Sequence, residues 1–460
     1  MIVQLLKPEF EELIEKKDWP ALKEVLNDVP AVDVAELLQE LDTSIAVVIF
    51  RLLKKDHAAD VFSYLSPSVG VELLNNLSTS QLSDVMGNLE PDEQVALMEE
   101  LPGHLTQRVL NSMKAEDQKQ VKKLLGYPEE SVGRLMTTRY VRVKADWSIK
   151  RSMTHIRKYG QKAETLNVIY VVDENEKLID DLKLTDLIMA NLDDSISSLM
   201  DDSFVALKAY DDQEDAYKAL SKYDRVALPV VDSSGILIGI VTVDDMIDIG
   251  EEETTEDMQL MAGMDALDKY YSETSILEMV QKRVGWLVVL FVGQLFTVSA
   301  MGSYEGILAS AVFLSIFIPM IISSGGNSGS QAATLIIRAL STDDINLTQW
   351  KKVFGREILS GLLLGSLIGI LGFVVIIFYG YLRSFPLDTE LILSALTVSL
   401  SLVCVILFGN LSGSMLPFIL SKLGLDPAVS SAPFVSTISD ATGIIIYFTI
   451  AMALLKGVVL

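Results

Sequence analysis

Cysteine is almost absent from this chain. The single one, Cys404, sits inside an apolar run, so neither a disulfide framework nor a cysteine-rich metal centre is available. Histidine is nearly as scarce, and His57, His104 and His155 lie scattered without ligand spacing. No nucleophile–base arrangement, phosphate-binding glycine loop or zinc motif occurs, which argues against an enzyme. The apolar part of the N-terminus is too short for a signal peptide, and the first long apolar run begins near Val284. Basic residues are also under-represented: 37 face 62 acids, for a net charge of −25. The imbalance is confined to one part of the chain. From residue 284 onward eight acids face seven bases, whereas residues 1–283 carry 54 acids and 30 bases. Such an excess of carboxylates repels nucleic acid and anionic lipid and attracts cations.

What is present falls into repeats and apolar runs. In residues 1–128 an apolar pair followed by a third apolar residue recurs every twelve positions, from Leu37/Leu38/Leu41 and Ile49/Phe50/Leu53 to Leu97/Met98/Leu101 and Val109/Leu110/Met113. The i, i+1, i+4 spacing places each trio on one helical face. Twelve residues allow one short helix and its turn, and stacked units bury a core that none could bury alone, so an α-helical solenoid is expected.

Residues 129–250 hold a second kind of repeat. Val168-Ile169-Tyr170-Val171-Val172-Asp173 is echoed by Ala227-Leu228-Pro229-Val230-Val231-Asp232, and Leu184-Thr185-Asp186-Leu187-Ile188 by Val243-Asp244-Asp245-Met246-Ile247. Each copy (129–192 and 193–250) reads strand, helix, strand, turn, strand, helix. The pair resembles tandem α/β CBS domains. That resemblance puts Asp186 at the family's ribose-binding acid, but Thr185 stands where nucleotide-binding relatives commonly carry arginine, so ATP or another adenine nucleotide is the weaker expectation. Residues 251–283 open with Glu251-Glu252-Glu253 and predict a connecting helix.

Five apolar stretches follow, at 284–303, 307–330, 358–382, 390–419 and 431–455, each near or above the ~20 residues that span a bilayer. The region 284–460 is therefore expected to be a five-helix transmembrane bundle and the whole a multidomain membrane protein. With the N-terminus inside, Lys282, Arg283, Arg338, Lys351, Lys352, Arg356 and Lys422 fall on the cytoplasmic side and only Arg383 and Lys456 outside. This orientation makes the acidic part cytoplasmic and leaves the C-terminus outside the cell membrane.

Asp440 is the only charged residue between Ser430 and Leu455, and no base lies at comparable depth in any span. An uncompensated charge at mid-membrane costs ~2.5–3.5 kcal/mol, so it should meet water, a cation or a proton, or else bond to Ser436, Thr437 or Thr442. The second span carries Gly325-Gly326-Asn327-Ser328-Gly329-Ser330-Gln331, whose small residues allow close packing or unwinding.

That segment, together with Asp426-Pro427-Ala428 and Pro433-Phe434-Val435-Ser436-Thr437-Ile438-Ser439-Asp440, resembles the MgtE family of magnesium transporters, as does the order of parts along the chain. The resemblance implies a homodimeric, magnesium-selective channel with a pore ion site at Asp440, Ser436 and Asn327. It also implies that excess Mg2+ closes the pore by binding among Asp60, Asp92, Glu214, Asp224, Asp245, Asp248, Asp257 and Asp426, with the connecting helix as a plug. The physics agrees with a carboxylate site for a hydrated ion, because Mg2+ sheds water reluctantly and prefers octahedral oxygen ligands. Two alternatives stay open: a CBS-regulated carrier of another substrate, and a non-conducting, membrane-anchored ion sensor.

Overall fold

A twelve-residue period appears directly in the backbone of the computed structural model, which describes residues 2–267, 271–272, 274–306 and 312–455. The chain divides into two compact units, Met1–Glu251 and Glu252–Leu460. The first unit opens with α1 (Ile2–Glu15) and α2 (Trp19–Leu26). Eight helices follow whose first residues are twelve apart: α3 (Ala31–Glu40), α4 (Thr43–Phe50), α5 (Lys55–Ser63), α6 (Pro67–Asn76), α7 (Thr79–Asn88), α8 (Pro91–Glu100), α9 (Gly103–Ser112) and α10 (Ala115–Leu124). Several are started by local chemistry. Ser78 and Gln81 form a reciprocal capping box on α7, and Pro91 supplies a preset φ at the start of α8. Helices pack on the next but one, as α3 on α5, α5 on α7 and α7 on α9. The repeated trios are the core: Leu73 and Leu74 are fully buried and Leu77 nearly so. Each such leucine contributes roughly 1.5–3 kcal/mol.

The short helix α11 (Val132–Leu135) leads into two three-stranded sheets of the same design. The first holds β1 (Arg142–Lys144), α12 (Ile149–Tyr159), β2 (Val168–Val172), β3 (Leu178–Lys183) and α13 (Leu184–Met189). The second holds β4 (Leu207–Lys208), α14 (Gln213–Tyr223), β5 (Ala227–Val231), β6 (Leu237–Thr242) and α15 (Val243–Met261). In each sheet the first pair is parallel and the second antiparallel, with a register shift one residue from the end of the central strand, at Val171/Val172 and Val230/Val231. The turns match too. Asp173 accepts the backbone N–H groups of Asn175 and Lys177, and Asp232 those of Ser234 and Ile236.

The expected connecting helix over 251–283 takes a different form. It is the continuation of α15, which begins at Val243 and ends at Met261, and a new helix starts only at Ile276. Gly263, at φ +78°, accounts for the stop, because a left-handed residue satisfies the last helical carbonyls at no steric cost only when it lacks a Cβ.

In the second unit, α16 (Ile276–Ser303), α17 (Val312–Ser315), α18 (Ile318–Ser341), α19 (Trp350–Leu382), α20 (Thr389–Lys422) and α21 (Ala432–Leu455) follow. Among the described residues four helices are long and apolar enough to cross a membrane: α16, α19 with the turn before it, α20 and α21. The second expected span, 307–330, is displaced. Its first five residues lie outside the described ones, and the long helix there is α18, which starts next to Pro319 and carries the glycine-rich segment in its middle. That segment is helical, not unwound. Intrahelical bonding satisfies its backbone where no water can.

Small residues let these helices touch backbone to backbone. Gly325 and Gly329 on α18 face Gly409 and Gly413 on α20, Gly326 faces Ser436 on α21, and Gly361, Gly365 and Gly369 carry α19 along α20. A methyl at Gly413 would run into the Gly329 carbonyl, which cannot swing away as a side chain would. Gly413→Ala is therefore expected to destabilise the bundle by about 1–3 kcal/mol, the usual range for overpacking. Gly355→Ala, where nothing stands within 4 Å, should be silent. Thermal unfolding in detergent distinguishes the two, and equal melting temperatures would contradict the packing.

Candidate functional site

Asp440 lies on α21, half-buried, and accepts a hydrogen bond from Gln294 Nε2 of α16 at 3.0 Å. None of the hydroxyls expected as alternatives takes this role. Thr437 donates to the Pro433 carbonyl, and Ser436 faces Gly326. The two helices come close enough for Gln294 to reach because Gly293 sits against Thr437, where a Cβ would stand 2.7 Å from its Cγ2. Gln294 is a partner the sequence reading missed, although it is the only amide in the first span. Gly326 meets Ser436 and Gly325 approaches Ser439, so Asn327 lies within about one helical turn of Ser436 and Asp440 along the bundle.

Asn327 itself is exposed and donates to Ser323 Oγ at 3.4 Å. It belongs to a row. Ser323, Asn327, Gln331, Thr334 and Arg338 are all exposed, at spacings of four, four, three and four, which is one face of α18, with Leu335 the apolar neighbour. A polar face of this length on a helix in an apolar bundle needs water, a second chain or an ion beside it.

A second group of polar residues gathers in the first unit. Asp92 stands at the start of α8 and Asp245 in the first turn of α15, and burial followed by the Asp245 charge holds the Asp92 carboxyl well above the ordinary carboxylate range. Burial likewise pushes Asp245 up to about 6, against a hydrogen bond from Thr242 Oγ1 at 2.7 Å and with added repulsion from Asp244, Glu93 and Asp248. Glu164, in the loop after α12, is pushed to about 8 by burial and by Glu90. Three carboxylate oxygens here are buried without a hydrogen-bond partner: Glu90 Oε2, Asp92 Oδ1 and Glu164 Oε2. Buried oxygens without a partner are costly and invite a cation, although Glu90 already pairs through its other oxygen with Arg139 at 2.5 Å. Among the described residues no three such groups converge as a metal-ligand set.

The expected acids are thus only partly brought together. Asp60 is exposed on α5 and near enough to Glu93 to raise its carboxyl, although burial is the larger cause there. Asp248 is raised by partial burial and by Glu251 and Asp244. Glu214 instead pairs with Lys218 at 2.8 Å, and Asp224 is the exposed left-handed cap of α14. Asp186 is exposed in the first turn of α13. Asp257 and Asp426 belong to the second unit. Asp257 is half-buried on α15, and Asp426 caps the turn Pro427–Val429 by accepting the Ala428 N–H at 2.7 Å. Glu90 and Glu93 went unread in the sequence although they flank Asp92 as the capping box of α8, and Glu164 went unread because it comes from a distant loop.

The raised carboxyls carry a pH signature. Each binds its proton more tightly folded than unfolded, so its stabilising contribution is complete below about pH 4 and is lost as pH rises through about 6 and about 8. Without divalent ions, protease resistance of the first unit should fall between pH 5 and pH 8 (roughly that window). A flat profile would mean that these groups are solvated.

A model of the MgtE divalent cation transporter family matches residues 318–450, one of the MgtE intracellular N domain matches 29–130, and the CBS domain matches 132–193 and 196–252. A magnesium transporter MgtE from Thermus thermophilus is 37% identical over 452 residues, 98% of each chain. One from Enterococcus faecalis is 33% identical over 74% of this chain and 73% of its own. A crystal structure of the cytosolic domain of the Mg2+ channel MgtE in complex with ATP is 33% identical, covers 52% of this chain and 98% of that one, and has a TM-score of 0.51. The soluble part of a magnesium transporter is 26% identical over 55% of this chain and 99% of its own, with a TM-score of 0.51. The repeats, the paired sheets, the apolar helices and these likenesses agree that the chain belongs to the MgtE family of divalent cation transporters.

Proposed function

We propose that this chain is a homodimeric channel for hydrated Mg2+ in the cell membrane, with its N-terminal part in the cytoplasm and its C-terminus outside. The observation that carries this reading is the exposed polar face of α18 beside the half-buried carboxylate of α21. Asp440 supplies charge, while Asn327 and Ser436 offer neutral oxygens at nearly the same depth. An ion that keeps most of its water is held by such a site through that water, tightly enough to select and loosely enough to release. A carrier of anions would need bases in the spans, and a mere anchor would need no carboxylate there. The names of the relatives, magnesium transporters, support the choice of ion.

The same reading makes the first unit the sensor. Asp92, Asp245, Glu90 and Glu164, with Asp60, Glu93 and Asp248 around them, would hold Mg2+ when it is abundant. Neutralising them favours the form in which they lie together, and the ion shifts the equilibrium only as far as it binds that form better. Roles for Glu214, Asp224, Asp257 and Asp426 rest on the family resemblance, as does any nucleotide contact of Asp186. In proteoliposomes loaded with a magnesium indicator, the purified chain should take up Mg2+, and millimolar Mg2+ (about that order) should slow proteolysis of residues 1–251. No uptake would remove the channel reading, and unchanged cleavage would remove the sensor.

A further inference from the structure

Behind the polar face of α18, three helices meet at one buried polar point. Ser328 on α18 donates its hydroxyl to Asn410 Oδ1 on α20, and Asn410 Nδ2 donates to Glu357 Oε2 on α19 at 3.2 Å. Asn410 is 3% exposed and Ser328 8%. The chain of donors has one direction. A carboxylate only accepts, so the amide turns its NH2 to Glu357 and its oxygen to Ser328. Among the described residues the Ser328–Asn410 bond is the only side-chain hydrogen bond between α18 and α20. In the middle of this contact Gly325 and Gly329 lie directly on Gly409 and Gly413, so no side chains interlock there, and the apolar clusters that hold Ile321 with Leu402 and Val405, and Ile336 with Phe418, lie toward its two ends. Rotation matters because Asn327 is the next residue, about 100° around the same helix from Ser328. A turn of α18 by about 20° would carry the Asn327 amide some 2 Å relative to Asp440.

We propose that Asn410 is a positioning residue for ion passage: oriented by Glu357, its amide grips Ser328 and sets the rotation of α18, and with it the aim of Asn327 toward the level of Asp440. This rests on the transport reading above. The test uses the full chain in proteoliposomes, reading half-saturating Mg2+ and maximal uptake separately. Asn410→Leu and Ser328→Ala should each raise the half-saturating concentration about fivefold, the worth of one net hydrogen bond. The double variant should be no worse than Asn410→Leu alone, since both remove the same link. Glu357→Gln, whose amide oxygen still accepts, should stay near the parent, whereas Glu357→Leu should behave like Asn410→Leu.

Multiplying effects in the double variant, or a fall in maximal uptake alone with the half-saturating concentration unmoved, would overturn the proposal. A second measurement is independent of transport. In a Cys404→Ser background, the Asn327→Cys variant is labelled with a water-soluble thiol reagent, with and without Asn410→Leu. A severalfold change in labelling rate supports the proposal and an unchanged rate overturns it, even if the parent protein moves no Mg2+.

Discussion

Asp440→Ala should abolish Mg2+ uptake into proteoliposomes, by about a hundredfold or more, while leaving the protein monodisperse. Removing a charge that meets a partly desolvated ion costs about 2–5 kcal/mol, and each 1.4 kcal/mol is a factor of ten. The fold should tolerate the change, because the one hydrogen bond lost is that from Gln294 and a carboxylate left in an apolar bundle is itself unfavourable. Asp440→Asn separates charge from shape. It keeps a hydrogen-bonding oxygen and the side-chain volume, so a loss close to that of alanine would assign the effect to charge. Gln294→Ala should weaken uptake less, since it orients the carboxylate without replacing it. Full uptake by Asp440→Ala would show that the carboxylate lies off the ion path.

Neutralising the buried acids of the first unit should produce two changes of opposite sign. Asp92→Asn combined with Asp245→Asn is expected to make residues 1–251 more resistant to proteolysis without Mg2+. It should also raise the Mg2+ concentration needed for further protection by about tenfold, a coupling free energy of ordinary size. The first effect follows because both carboxyls are held above their usual range by burial, so their charged forms oppose folding at neutral pH. The second follows because each carboxylate, including the one that carries the unpartnered Asp92 Oδ1, is then replaced by a neutral amide with a single oxygen, which holds a cation far less well. In the uptake assay the variant should remain active at Mg2+ levels that silence the parent. A plain loss of stability, with the response to Mg2+ intact, would mean that these acids serve packing alone.

The N-terminal helices were readable from sequence because their information is local. A period of twelve and a trio at i, i+1, i+4 specify helix, face and turn together. The CBS pair was readable because two copies confirm each other strand by strand. The membrane helices were readable as apolar runs but not in their contacts. Glycine and serine are weak helix formers in water, so the segment from Gly325 to Ser330 read equally well as a break. Only the facing glycines of α20, some eighty residues away, explain why it is a continuous helix. Asp440 stood out by its isolation, whereas its partner Gln294 comes from a helix nearly 150 residues earlier. Glu164 meets Asp92 and Glu90 only through the fold, and nothing in its neighbours along the chain announces it.

The matched registers of the two sheets have one more consequence. Lys183 opposes Val168 in the first, and Thr242 opposes Ala227 in the second. Three residues further on stand Asp186 and Asp245, which are therefore the same position in the two halves of the repeat. Asp186 stands at the surface. Asp245 is half-buried beside the Thr242 hydroxyl and several like-charged neighbours, and its carboxyl is pushed up to about 6. One side chain, set at two equivalent places, thus meets two different surroundings, one open to solvent and one crowded with acids.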